Sequence, residues 1–245
     1  MDQSQSRHSP ARDLVLFLCG PALVAIAITV WYAVRPWPIP VADQVQHFML
    51  APVTTSLGLG ALGVWLSSRV GLPSAPALTD ARGWLLLFLA STGLALLFVA
   101  ASAIEDATLG VQRFLAQRIG QPSMNVPFPA SIAHYLHGSI LQECLFRIGP
   151  IPILSWTIGK LAFRDGAKPQ VFWVVAIVLS LVEPLAEVAM AFQARPDIAL
   201  ITAGVGVAGN VAWVALYRQM GWPVLLIVRI VLEIGWHVVW PAVSA

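Results

Sequence analysis

Long apolar runs alternate with short polar stretches along the whole chain. A helix crossing the hydrocarbon core of a bilayer needs about 20 mostly apolar residues. Runs of that kind cover 14–34, 48–68, 84–104, 131–160, 171–192, 198–217 and 221–243. The pattern predicts an all-α protein, a polytopic transmembrane helical bundle of about seven spans. The first run follows Arg7 and Arg12 and reaches from Leu14 to about Val34. It is longer than a signal-peptide core and meets Arg35-Pro36-Trp37-Pro38 rather than a cleavage site, so it is predicted to be a retained anchor helix. The fourth run is interrupted by Gly149-Pro150 and Pro152, which predicts a kink or a helix followed by a second, shorter piece. Between the third and fourth runs, Leu109, Val111, Phe114, Leu115 and Ile119 are set against Gln112, Arg113, Gln117 and Arg118. That is the pattern of an interfacial amphipathic helix over 107–119, with a loop over 121–129. The chain therefore divides into accessory helices in 1–104, an interfacial helix and loop in 105–130, and a core bundle in 131–245.

Composition sharpens this reading. Of 245 residues, 58% are hydrophobic and 11% charged, and the mean hydropathy is +0.78. Soluble domains carry about 25% charged residues, so a water-facing surface cannot be built from this chain. The net charge of +2 is too small, and the basic residues too scattered, for a nucleic-acid partner. The expected partner is the lipid bilayer. The two cysteines, Cys19 and Cys144, fall in apolar stretches without metal-ligand spacing, and both read as buried hydrophobes. With a cytoplasmic N-terminus, Arg7, Arg12, Arg69, Arg82, Lys160, Arg164, Lys168 and Arg218 fall inside, and Arg35, Arg113, Arg118 and Arg195 outside. The excess of inside charge favours that orientation. Trp31, Trp37, Trp173, Trp222 and Trp240 lie near run ends, where an interfacial aromatic belt is expected.

The remaining ionisable residues stand out. The chain has five Glu, and four of them, Glu143, Glu183, Glu187 and Glu233, fall inside predicted spans. Arg147, Arg229, His134, His137 and His237 do too. A charge at the bilayer centre costs about 2.5–3.5 kcal/mol on insertion scales. These groups must therefore face one another or a wet cavity, and a functional site is the default reading. Their spacing agrees. Glu143 and Arg147 are four apart, as are Glu183 and Glu187, while Arg229, Glu233 and His237 form an i, i+4, i+8 row. Each set lies on one helical face, so three helices can turn one polar stripe inward.

Gln142-Glu143-Cys144-Leu145-Phe146-Arg147, followed by Ile148-Gly149-Pro150, resembles the Glu-Glu-x-x-x-Arg first motif of the CPBP family, the CAAX proteases and bacteriocin-processing enzymes of abortive-infection type. Tyr217-Arg218-Gln219-Met220-Gly221-Trp222 resembles the turn that precedes the family's third motif. The resemblance covers about 131–240 and implies a CPBP-like core in the last four spans. Three positions depart from the pattern. Gln142 stands where the family has its first Glu. Glu183-Pro184-Leu185-Ala186-Glu187 has Glu at both positions of a Phe-x-x-x-His motif. The third motif corresponds to Glu233-Ile234-Gly235-Trp236-His237, or to Arg229 through Glu233.

The resemblance implies an intramembrane endopeptidase for hydrophobic or lipidated peptides, in a bacterial cytoplasmic membrane. In the family, the first Glu and the second-motif His activate a water, the motif Arg holds the second Glu, and third-motif residues bind the oxyanion. A general base must accept a proton near neutral pH, and Gln142 cannot. The implied roles are Glu143 held by Arg147 as polar anchor, Gln142 as a hydrogen-bonding replacement, Glu187 and Glu183 as base and partner, and Glu233 and His237 on the oxyanion or metal side. Either the base has moved to another helix or catalysis is altered or lost.

Other readings stand beside it. A catalytically silent binding or scaffold subunit, with membrane-protein partners, fits the same residues. No cofactor is required by the sequence, though carboxylates and histidines on facing helices also suit a divalent metal. An ion- or proton-translocating transporter is a third class. The blander expectations are that Glu143–Arg147 and Arg229–Glu233 are packing ion pairs and that His134 and His137 sit at the outer interface. On the same footing, Asn210 and the Gly204, Gly206 and Gly209 series mediate helix packing, and Glu105-Asp106 is a solvated helix end. His47 has no partner that the sequence identifies.

Overall fold

The computed structural model describes residues 9–34, 50–118, 126, 128–163, 168–192 and 195–244. Among these residues every regular element is helical. Five helices begin on proline, which carries no N–H to leave unsatisfied and has its φ preset for the first turn. The first, α1 (Pro10–Phe17), is capped by the Ser9 side chain, which accepts from Arg12 N. It passes through a π turn (Leu18–Ala22) into α2 (Leu23–Val34). Then come α3 (Leu50–Ser67) and α4 (Ala81–Leu109), the latter capped by Asp80, whose carboxylate accepts from Gly83 N at 2.8 Å. Gly110, at φ 65°, ends α4, and α5 (Val111–Arg118) follows. The next passage is α6 (Ala130–Glu143), a π turn (Cys144–Ile148) and α7 (Pro150–Phe163). The chain finishes with α8 (Pro169–Phe192), α9 (Pro196–Met220), α10 (Pro223–Ile234), a π turn (Gly235–Val239) and α11 (Trp240–Ser244).

Five segments are long and apolar enough to cross a membrane: Pro10–Tyr32, Ala81–Leu109, Pro169–Ala186, Pro196–Met220 and Pro223–Ala242. They coincide with the first, third, fifth, sixth and seventh apolar runs. The chain is an integral membrane protein. The second run is helical as α3 from Leu50 to Ser67, and the fourth is the broken pair α6 and α7. The expected break at Gly149-Pro150 begins earlier, at the π turn from Cys144. The amphipathic helix starts at Val111 rather than Ala107, because α4 keeps its register through Leu109 and only Gly110 leaves it.

Passages run alternately between two ends of the bundle. At one end Arg12 of α1 donates to Ala75 O. Arg218, closing α9, donates to Gly71 O at 2.7 Å, and its guanidinium lies 5.1 Å from the ring of Phe172, early in α8. Gly221, at φ 83°, packs against this same connection; a side chain there would meet Pro73 O. So α1 starts, α3 ends, α4 starts, α8 starts, α9 ends and α10 starts at one level. The main buried cluster runs through the helices, from Phe17 and Val53 through Leu87 and Cys144 to Trp213, Tyr217 and Leu225. Outward faces are also apolar: Leu85, Leu97, Val174 and Leu200 are all exposed. An apolar exterior around an apolar core is what a bilayer solvent selects. Cys144 is buried in that core, whereas Cys19 is exposed, contrary to the expectation that both are interior.

Candidate functional site

The charged residues that lipid cannot tolerate gather where α6, its π turn, α8, α9 and α10 meet. They form one ladder of alternating sign. Arg147 donates to Glu143 one turn earlier, to Glu183 of α8 at 2.6 Å and to Asn210 of α9. Glu183 uses its second oxygen on Arg229 of α10, at 2.8 Å. Arg229 also reaches Glu233 at 2.8 Å and donates to Gln142. His237 Nε2 closes the row 3.3 Å from Glu233. The indole of Trp213 lies beneath both guanidiniums, 4.4 Å from Arg147 and 5.9 Å from Arg229. That range supports cation–π attraction.

Local structure explains the convergence. The row Arg229, Glu233, His237 was legible as one helical face and remains one. Arg147 leaves α6 through the π turn, and its position owes much to α3. Gly63 approaches so closely that a Cβ there would sit 1.9 Å from Ile148 O. A π turn inserts an extra residue into the helical period, and here it lies between Glu143 and the end of the motif. Pro184 is accommodated inside α8, one residue after Glu183. Asn210 fastens α9 to α8 as well, donating to Ser180 O at 3.2 Å.

Burial divides the ladder. Glu143 is fully buried and Arg147 is 2% exposed. At the other end the side chains of Glu233 and His237 keep 14% and 21% exposure. His237 stacks on Tyr135 of α6, ring centroids 4.5 Å apart and planes 11° apart, and the Tyr135 hydroxyl accepts from Val126 N at 3.1 Å. The ladder is thus sealed at Glu143 and reachable at His237. The second oxygen of Glu143 has no hydrogen-bond partner among the described residues.

Of the residues singled out from sequence, Gln142, Glu143, Arg147, Glu183, Glu233 and His237 come together. Glu187 lies on α8 one turn beyond Glu183, but its side chain is outside the described residues, as is His47. Two expectations change. His137 is not interfacial: it is fully buried, with Nε2 2.9 Å from Thr29 Oγ1. Glu105 is not a solvated helix end either. It is 8% exposed and accepts from Thr202 of α9. Asp106 accepts from Gln112 N at 2.8 Å and Trp240 Nε1 at 3.2 Å. Asn210 does mediate helix packing, but it does so as a member of the ladder. Sequence reasoning missed Trp213 and Tyr135 as partners; an aromatic on an apolar helix carries no mark of the cation it faces. Among the described residues no three His, Cys, Asp or Glu side chains are arranged as a metal-ligand group. Within the ladder an arginine separates each carboxylate from the next.

Compared with known proteins, the chain matches no family model, no curated protein and no solved structure.

Proposed function

We propose that the chain is a CPBP-like membrane protein whose first-motif positions have become a structural ladder, and that it serves as a non-cleaving membrane subunit that binds hydrophobic or lipidated peptide segments. The observation that carries this reading is the internal pairing of those positions. Gln142 is occupied by Arg229, and fully buried Glu143 is held by Arg147. A buried ion network removes its own charges from use while fixing how four helices pack. A proton-translocating role fits less well. Guanidinium groups do not give up their protons in proteins, and Arg147 and Arg229 stand between Glu143, Glu183 and Glu233.

In this reading the second and fourth apolar runs also cross the bilayer, giving seven spans with a cytoplasmic N-terminus and peptides approaching laterally. The basic end of the bundle, which holds Arg12, Arg69, Arg82 and Arg218, supports that orientation.

One observation favours a second reading. Glu233 and His237 form a partly exposed carboxylate–imidazole pair, which is the arrangement of a general base and its orienting group. A hydrolase rebuilt on α10 would use it. One assay separates the two. The reconstituted protein is incubated with a prenylated peptide, and both retention and cleavage are followed. Retention without cleavage is the expected result. Cleavage abolished by His237→Gln but not by Glu143→Gln establishes the rebuilt hydrolase, and cleavage abolished by Glu143→Gln restores family-like proteolysis.

A further inference from the structure

On the face of α10 away from the ladder, an apolar crevice opens to the outside of the bundle. Its walls are Leu16 of α1, Leu136 and Ile140 of α6, and Leu226, Ile227 and Ile230 of α10. It encloses about 360 Å³, within the range of roughly 300–1,000 Å³ typical of ligand sites. Val24 at its edge, on the first long apolar helix, is 39% exposed, so the opening faces the lipid. Two indoles line one part of it. Trp84 donates its N–H to Ala77 O at 3.0 Å. Trp222 is 5% exposed, and its indole N–H has no hydrogen-bond acceptor among the described residues. An unmatched buried donor carries a desolvation cost, and Trp222 places one beside the crevice.

The charges near that part of the crevice indicate what such a ligand carries beyond its chain. Arg12 lies one turn before Leu16, with its side chain 38% exposed; one of its terminal nitrogens serves Asp13 and Ala75 O, and its Nε has no hydrogen-bond partner among the described residues. Arg82 is exposed in the first turn of α4, two residues before Trp84. Arg69 and Arg218 lie at the same end. The acidic residues there are already engaged: Asp13 by Arg12 and Ala75 N, and Asp80 as the cap of α4. Arginines at the membrane surface attract anionic headgroups.

We propose that this crevice is a specific site for an anionic phospholipid, one acyl chain lying along α10 and the glycerophosphate held between Trp222 and the Arg12–Arg82 end. The site is separate from the ladder, so it stands or falls independently of the peptide-binding reading. The full-length protein, exchanged into lipid-free detergent, is titrated with phosphatidylglycerol and with phosphatidylcholine of the same chains, and binding is read by native mass spectrometry and thermal shift. Near-stoichiometric phosphatidylglycerol is expected, with phosphatidylcholine about tenfold weaker. Arg82→Gln should weaken phosphatidylglycerol roughly fivefold while leaving the unliganded Tm unchanged. Ile227→Trp, which fills the crevice, should abolish binding; Ile140→Phe is the second filling variant, should the first fail to fold. Equal binding of the two lipids, or retention of phosphatidylglycerol by a folded crevice-filling variant, overturns the proposal. So does a lipid-independent dimer that Ile227→Trp dissociates, because the crevice would then be a subunit interface.

Discussion

Arg147 makes the largest demand on its surroundings. It is 2% exposed and holds Glu143, Glu183 and Asn210 at once. Removing one partner of a buried pair leaves the other charged and desolvated, at a cost of about 3–5 kcal/mol. Arg147→Met should therefore destabilise the protein by about that amount, measured by reversible unfolding in mixed micelles. The matching change on the other side gives the sharper test. Glu143→Leu with Arg147→Met removes both the charge and its counter-charge, so the double variant should be less destabilised than the sum of the singles, with a coupling of about 1–3 kcal/mol. Strict additivity would mean that the pair contributes nothing as a pair. Asn210→Leu tests the next contact. It breaks bonds to both Arg147 and Ser180 O, and a loss of about 1–3 kcal/mol is expected. A neutral result would return Asn210 to an ordinary packing role.

At the scale of elements, the sequence was most informative where one face of one helix carried the whole signal. The row Arg229, Glu233, His237 needed only the helical period, and the break in the fourth run needed only Gly149-Pro150. The same period could not reveal which stripes would meet. Asn210 and Trp213 are isolated on long apolar surfaces, and their role exists only once α9 lies against α8 and α10. The π turn at Cys144–Ile148 was likewise hidden, since what locates it is Gly63 on a helix some eighty positions earlier. That contact yields a paired prediction. Gly63→Ala puts a methyl where Ile148 O stands, and crowding of that kind costs about 1–3 kcal/mol. Gly58→Ala lies on the same helix with nothing within 4 Å of its new Cβ, so it should be neutral or stabilising by up to about 1 kcal/mol. Thermal unfolding of the two variants separates close helix approach from general intolerance of alanine in α3.

For the whole molecule, the proposed seven-span topology makes the alternation of passages a statement about sides of a membrane. Leu78, in the connection at the basic end, is 75% exposed. Phe128, just before α6, is 73% exposed. Because α6 and α7 together run down to the end where α8 starts, Phe128 lies at the opposite end from Leu78. If α3 and the α6–α7 pair both cross, the two residues face different compartments, and positive charge assigns the Leu78 end to the cytoplasm. The ladder gives a physical reason for the broken pair to cross: Arg147, in its middle, is joined to Glu183 and Arg229 on two of the long helices, and lipid would not tolerate them apart. Single cysteines placed by Leu78→Cys and Phe128→Cys, with Cys19 and Cys144 replaced by Ser and Ala, should therefore differ toward a membrane-impermeant maleimide in intact cells. Phe128→Cys should label directly, and Leu78→Cys only after the membrane is permeabilised. Labelling of both from outside would make one of the broken or short passages a re-entrant segment. The ladder would then line a pocket open to one side, which favours the rebuilt hydrolase over the non-cleaving subunit.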